Sequence, residues 1–96
     1  MLIQVVTYTF PADGLDEVEK TLRDLRTGSL GQEGCVQFDV CRGAGDDAET
    51  FVLYEKWHDQ AALDAHYETE IFVRLGVNGI RPLATSRHAV KGTPVE

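Results

Sequence analysis

Residues 35–57, which read CVQFDVCRGAGDDAETFVLYEKW, decide the fold of this chain. Both ends of the stretch are rich in β-branched and aromatic residues that alternate with polar ones, as residues of half-buried strands do. Its centre, Gly43-Ala-Gly-Asp-Asp47, has the composition of a turn. We therefore predict a β-hairpin built from two strands, Cys35–Arg42 and Glu49–Trp57.

The residues before the hairpin predict one strand and one helix. Leu2–Phe10 is a β-rich segment that stops at Pro11. A helix is expected from Asp13, whose carboxylate would cap it, to the glycines Gly28 and Gly31. Its apolar stripe has helical spacing and consists of Leu15, Val18, Leu22 and Leu25.

The residues after the hairpin predict two short helices and a last strand. Asp59 should cap a helix over Gln60–Tyr67, and Thr69 a second one through about Asn78. The inward side chains of this second helix should be Ile71, Phe72 and Leu75. A strand is then expected over Leu83–Val90, and residues 91–96 form a polar tail that we expect to be frayed. The order β-α-β-β-α-β predicts one α+β domain over residues 1–96, with a ferredoxin-like antiparallel sheet.

The first strand is apolar on both faces, with Ile3 and Val5 on one side and Val6, Tyr8 and Phe10 on the other. Helices of the same chain would cover only one face of the sheet. An uncovered apolar face would exceed the patch that a monomer normally exposes. We therefore expect a homodimer formed through the second sheet face.

Length and charge limit the classes of partner. A chain of 96 residues makes one domain with a thin core, and it contains 43% hydrophobic and 26% charged residues. The net charge of −7 opposes nucleic-acid binding, and no segment approaches the roughly 20 apolar residues of a membrane span. The first residues lack a signal-peptide pattern, so we expect a cytoplasmic protein.

The two cysteines, Cys35 and Cys41, fall on one predicted strand. Their Cα atoms would be roughly 20 Å apart, too far for a disulfide. No short-spaced set of metal ligands accompanies them, so we predict buried reduced thiols and no metal site.

Three motifs in order resemble the antibiotic biosynthesis monooxygenase (ABM) superfamily. They are the strand EGCVQFDV (33–40), the strand and helix FVLYEKWHDQAALDAH (51–66) and the turn TEIF (69–72). The superfamily pattern is an E-G-C/N-x-x-F/Y-x-V strand, a Y/F-E-x-W strand end, a D-x-x-A-x-x-x-H helix and a T-x-H-F turn. The resemblance implies a dimeric α/β barrel, with a mostly apolar pocket between the sheet and the second helical segment of each subunit.

Three residues are candidates for catalysis. Trp57 shares the strand face of Phe51 and Leu53, where an indole could stack on a flat substrate, unless it is a core residue. His66 could transfer protons near neutral pH, or it could be a structural histidine bound to a backbone carbonyl or to Glu55. Glu55 could be a general base, or a buried carboxylate held in an ion pair or hydrogen bond.

The predicted pocket wall is apolar and aromatic. The expected substrate-binding residues are Phe38, Phe51, Leu53, Leu63, Tyr67 and Phe72. Arginines that could bind an anionic substrate are Arg42, Arg74, Arg81 and Arg87, although no phosphate-binding glycine loop accompanies them. No nucleotide-binding motif is present, so we expect no cofactor.

Some positions depart from branches of the superfamily. The haem-degrading branch has an asparagine on the first strand and a histidine after the T-x-x-F turn, and the stretches around Val6 and Gly76 have neither. The anthrone-oxidising branch has an asparagine and a tyrosine where this chain has Leu53 and Leu63. Ile71 replaces the histidine that is common in the turn.

The resemblance implies three possible functions. The first is a cofactor-independent monooxygenase that oxidises a quinol-like or polycyclic aromatic substrate with dioxygen. The second is an isomerase or degradative enzyme that acts on a small oxygenated metabolite, with or without a phosphate group. The third is a non-catalytic dimeric binding or stress-response module.

Overall fold

A computed structural model describes residues 1–95 and contains one four-stranded antiparallel sheet with the strand order β2-β3-β1-β4. The strands are β1 (Leu2–Thr9), β2 (Cys35–Arg42), β3 (Thr50–Trp57) and β4 (Ser86–Gly92). The helices are α1 (Leu15–Leu30), α2 (Gln60–Tyr67) and α3 (Phe72–Ile80). The predicted α+β ferredoxin-like fold is confirmed.

The central strands set the register of the sheet. β1 pairs with β3 along all of its residues, from Leu2 opposite Trp57 to Thr9 opposite Thr50. β2 and β3 form the predicted hairpin, and the pairing shifts by one residue between Cys35 and Gln37. Since side chains alternate along a strand, this register fixes which residues of β1 and β3 face the helices.

The hydrophobic core lies between one sheet face and the helices. Burying each large apolar side chain there stabilises the fold by about 1.5–3 kcal/mol. The core contains Val6, Tyr8, Phe10, Val18, Leu22, Leu25, Phe38, Phe51, Leu53, Trp57, Leu63 and Ile80. All three buried leucine and valine positions of α1 come from its predicted stripe, whereas Leu15 is only half-buried.

The start of α1 differs from the prediction. Its N-cap is Gly14, with φ at +87°, and no side chain caps the helix, so the predicted cap by Asp13 is wrong. Left-handed backbone is readily adopted by glycine, and here the Gly14 carbonyl accepts a hydrogen bond from the Val18 N–H at 3.1 Å. At the other end Gly31 is the C-cap, while Gly28 lies inside the helix.

Asp59 and Thr69 cap helical segments as predicted, and Thr69 precedes a helical turn at residues 70–71 that leads into α3. The Asp59 carboxylate accepts a hydrogen bond from the Ala62 N–H at 2.8 Å, and the Thr69 hydroxyl accepts one from the Phe72 N–H at 3.2 Å. α3 is a π-helix and reaches Ile80, beyond the predicted end at Asn78. Such wide turns are rare and occur frequently at functional sites.

The last strand is displaced toward the C-terminus. It covers Ser86–Gly92 instead of the predicted Leu83–Val90, because Arg81–Leu83 forms a short helical turn after α3. Lys91 and Gly92 pair with β1, so the prediction of a frayed tail is wrong for these two residues. The end of that tail, Glu96, lies outside the described residues.

Within residues 1–95, no helix covers the second face of the sheet. Val5 of β1 lies between Tyr54 of β3 and Val90 of β4, and Val90 is 55% exposed. Cys41 is exposed and Cys35 half-buried, and both are free, so the prediction of two buried thiols is wrong for Cys41. None of the helices in residues 1–95 is long and apolar enough to cross a membrane.

Candidate functional site

A small cavity lies between the helix-covered face of the sheet, α1, α2 and α3. The space open to the centre of a water-sized sphere is about 20 Å³, enough for about one water molecule. Its lining consists of Gln4, Val6, Tyr8, Leu22, Leu25, Phe38, Leu53, Glu55, His66, Tyr67, Phe72, Gly76, Ile80, Arg81 and Arg87. The wall is therefore mostly apolar, with one carboxyl group and two guanidinium groups.

Glu55 is the buried acid of this cavity. It lies on β3 with 3% of its surface exposed, and its Oε1 accepts a hydrogen bond from Trp57 Nε1 at 3.1 Å. Burial raises the pKa of Glu55 from 4.5 to about 7, although hydrogen bonds from Trp57 and Gln4 and the charge of Arg87 oppose the rise. The carboxyl group therefore titrates near neutral pH, where a general base works best.

Gln4 connects the acid to a phenol. It pairs with Glu55 across β1 and β3, and its side chain opposes the rise in the pKa of that carboxyl group. The Tyr67 hydroxyl donates to Gln4 Oε1 at 3.0 Å. Burial raises the pKa of Tyr67, so this hydroxyl keeps its proton. The three side chains form a buried polar row along one side of an apolar cavity.

His66 is held by a glutamine. Its Nδ1 lies 2.9 Å from Gln32 Oε1, so the predicted alternatives of a backbone carbonyl or Glu55 as partner are wrong. Its ring is 2% exposed and lies between Trp57 and Phe72, at centroid distances of 4.6 and 4.9 Å. Burial lowers the pKa of His66 from 6.5 to about 4, so the ring is neutral at neutral pH.

The structure brings most of the predicted site residues together. Those that line the cavity are Phe38, Leu53, Glu55, His66, Tyr67 and Phe72. Trp57, Phe51 and Leu63 have 0% exposure and belong to the core, outside the cavity lining. Trp57 therefore reaches the cavity only through its hydrogen bond to Glu55, and it offers no free ring face for a substrate to stack on.

Two parts of the site were not predicted from the sequence. Gln4 is a polar residue on the same face of the first strand as the apolar Val6. A polar side chain at such a position could have indicated a site residue. The sequence indicates Arg81 and Arg87 only as candidate anion binders and does not place them at the cavity. In the structure they lie over the rings of Phe72 and Tyr8, 5.4 and 5.8 Å from the centroids.

Residues 1–75 match the sequence model of a family described as antibiotic biosynthesis monooxygenase, ABM. The chain belongs to the ABM family. Among curated proteins it is similar to "Putative monooxygenase YcnE" of Bacillus subtilis (strain 168), with 43% identity over 44 residues. That match covers 46% of this chain and 45% of the relative, so the chain is matched to less than half the length of that protein.

Solved structures of similar proteins support the ABM fold over the whole chain. One is an antibiotic biosynthesis monooxygenase that is 29% identical, with a TM-score of 0.91 and full coverage of both chains. Another is PA3566 from Pseudomonas aeruginosa, 28% identical, with a TM-score of 0.86 and coverage of 99% of this chain and 94% of that one. No group of three or more His, Cys, Asp or Glu side chains within residues 1–95 of this ABM protein could hold a metal ion.

Proposed function

We propose that this ABM protein is a cofactor-independent monooxygenase that oxidises a small quinol-like or polycyclic aromatic substrate with dioxygen. Glu55 removes a proton from the substrate, and the resulting carbanion reacts directly with dioxygen. For a hydroquinone the balance is C₆H₄(OH)₂ + O₂ → C₆H₄O₃ (a hydroxyquinone) + H₂O, and for the ring CH₂ group of an anthrone-like substrate it is CH₂ + O₂ → C=O + H₂O. One oxygen atom enters the substrate, the other leaves as water, and the substrate supplies all four electrons.

The observation that carries the proposal is the carboxyl group of Glu55. It faces an apolar cavity, and its pKa of about 7 leaves a large ionised fraction at neutral pH. An acid buried without an arginine or lysine in salt-bridge contact is costly to a fold and is typical of functional sites. His66, neutral and held by Gln32, forms part of the wall in this mechanism, and proton transfer is assigned to Glu55.

The other polar groups position the base. Trp57 donates a hydrogen bond to the Glu55 carboxylate, which fixes the direction in which it faces the substrate, and Gln4 lies opposite Glu55 in the sheet. Phe38 and Phe72 form apolar parts of the wall against which an aromatic ring packs. A space of about 20 Å³ holds about one water molecule and no ring, so a substrate would have to displace side chains of the cavity wall, such as Phe72 of α3.

The proposed assembly is a homodimer in which two sheets pack through their uncovered faces. Val5, Tyr54 and Val90 lie side by side on that face. A thin core supports the same assembly, because small domains gain stability when a partner buries further apolar surface. Val5→Lys should convert the dimer to a monomer in sedimentation velocity experiments, whereas a wild-type chain that sediments as a stable folded monomer at micromolar concentration would contradict the proposal.

Oxygen consumption with a panel of hydroquinones and anthrone-like phenols tests the activity. We expect uptake by the wild type with a rising pH limb near pH 7, and at least a hundredfold loss in Glu55→Gln, the size typical for general bases. Glu70→Gln is the matched control, because Glu70 is an exposed acid paired with Arg74 on the outer surface. Full activity in Glu55→Gln would overturn the assignment of the base.

One observation favours a second candidate, an isomerase or degradative enzyme acting on a small oxygenated metabolite. Arg81 and Arg87 give the cavity a cationic side that the predicted aromatic wall did not include. A binding module without turnover is the remaining alternative. Substrate conversion without oxygen uptake would favour the isomerase, and binding without conversion would favour the module.

A further inference from the structure

Arginine pairing is uneven in this chain. Of its six arginines, four lie within 4.0 Å of a carboxylate oxygen, namely Arg23, Arg26, Arg42 and Arg74. Within residues 1–95, Arg81 and Arg87 have no such partner, although the chain carries a net charge of −7. Both of these arginines line the cavity. Both residues are exposed, so their guanidinium groups are open to a ligand from solvent, and no carboxylate within residues 1–95 neutralises them at the cavity.

We propose that Arg81 and Arg87 form a binding site for an anionic group of the substrate, a carboxylate or a phosphate, beside the aromatic wall of the cavity. The inference rests on the cavity being the active site of the proposed function. It assigns the substrate to the class of small aromatic acids or phosphate esters, instead of neutral quinols. The ring would enter toward Phe38 and Phe72 while the anionic group stays between the two guanidinium groups.

The two guanidinium groups are placed for this task from different elements. Arg87 lies on β4 directly opposite Tyr8 of β1, and its Nε donates a hydrogen bond to the Tyr8 hydroxyl at 3.3 Å. That bond fixes the guanidinium group while its two terminal nitrogens stay available for an anion. Arg81, in the turn after α3, lies over the ring of Phe72.

Both arginines line the same cavity as Tyr67 and Glu55. The charges of Arg81 and Arg87 both lower the pKa of Tyr67, and the charge of Arg87 lowers that of Glu55. A planar guanidinium group binds carboxylate or phosphate through two parallel hydrogen bonds, which also orients the rest of the ligand.

Binding measurements test this without turnover. The probes are gentisate, a hydroquinone that carries a carboxylate, its uncharged methyl ester, and phenyl phosphate, titrated calorimetrically in oxygen-free buffer. We expect the wild type to bind gentisate about tenfold more tightly than the ester. Arg81→Gln and Arg87→Gln should each reduce that preference about threefold to tenfold, and the double variant should abolish it.

Two control variants distinguish binding at a specific site from a general effect of charge on affinity. Arg23→Gln removes the same charge from the outer surface of α1 and should keep the full preference. Arg87→Lys keeps the charge but loses the planar fork, so part of the preference should remain. Equal affinity of the wild type for gentisate and its ester, or a preference that survives in the double variant, would overturn the site.

The probes also separate the two anions and the two proposals. Tighter binding of phenyl phosphate than of gentisate, lost in the same variants, would assign the site to phosphate esters. A carboxylate preference with no oxygen uptake on any hydroquinone would keep the anion site and remove the monooxygenase. Oxygen uptake with equal rates on gentisate and its ester would keep the monooxygenase and remove the anion site.

Discussion

Replacement of Glu55 by glutamine should make the free energy of unfolding depend on pH in a range where that of the wild-type protein is nearly constant. The native pKa of Glu55, about 7, lies above its ordinary value of 4.5, so the native state holds this proton more tightly than the unfolded chain. Glu55 therefore contributes stability that is fully present below pH 4.5 and is lost as the pH rises through 7. Each unit of difference between the two pKa values corresponds to about 1.4 kcal/mol, so the loss is about 3 kcal/mol.

The contribution of His66 to stability changes with pH in the opposite direction. Its native pKa, about 4, lies below the ordinary value of 6.5, so folding excludes this proton. The contribution of His66 is fully present above pH 6.5 and is lost as the pH falls through 4. This loss is again about 3 kcal/mol.

The two effects cancel over the pH range that they share. Near pH 5.5 the native state carries one proton on Glu55 and none on His66, whereas the unfolded chain carries one on the histidine and none on the glutamate. Because stability changes with pH only where the two states bind different numbers of protons, this pair contributes no slope there. In a variant that lacks one of the two groups, the titration of the other makes the free energy of unfolding depend on pH.

Urea denaturation followed by circular dichroism at a series of pH values measures the effect. The free energy of unfolding of Glu55→Gln, relative to wild type, should increase by about 3 kcal/mol between pH 4.5 and pH 7.5. His66→Gln should show a relative decrease of similar size toward high pH, and the exposed Glu70→Gln should run parallel to wild type. Protein concentration is held constant because dimerisation would add to stability. Parallel curves for Glu55→Gln and wild type would refute the buried acid.

Two further predictions concern single contacts. Trp57→Phe removes a hydrogen bond to the Glu55 carboxylate, so the pKa of Glu55 should rise by about one more unit, measured by carbon NMR titration, and an unchanged midpoint would contradict the positioning role. Gly34→Ala should destabilise the fold by about 1–3 kcal/mol in urea, because its new Cβ would collide with Ala62, whereas Gly92→Ala, with open space around it, should be neutral.

Much of the architecture could be predicted because it depends on local patterns. The alternation in residues 35–57 identified the hairpin, and the leucine and valine spacing of α1 identified its buried face. Both signals follow from the periodicity of a single element. The ABM motifs also indicated the region of the cavity, since Glu55, His66 and Phe72 all line it.

Other features depend on contacts that a local pattern does not contain. The residue pairs Gln4–Tyr67 and Gln32–His66 join positions 63 and 34 residues apart, so only the folded chain shows them as partners. Trp57 has the parity predicted for a pocket residue, yet packing against His66 seals it inside the core. The extension of β4 to Gly92 likewise depends on pairing with β1, which outweighs the polar composition of the last residues.

The energetic cost of Glu55 argues that the residue is kept for chemistry. Above pH 7 its ionised form costs about 3 kcal/mol, against the 5–15 kcal/mol by which small domains are typically stable. A neutral glutamine can still accept the hydrogen bond from Trp57, so near pH 8 Glu55→Gln should be more stable than wild type while it loses oxygen uptake. A residue with a structural role would lose stability and activity together. Higher stability together with lost oxygen uptake in Glu55→Gln would therefore indicate a catalytic base, whereas a loss of both would indicate a structural acid.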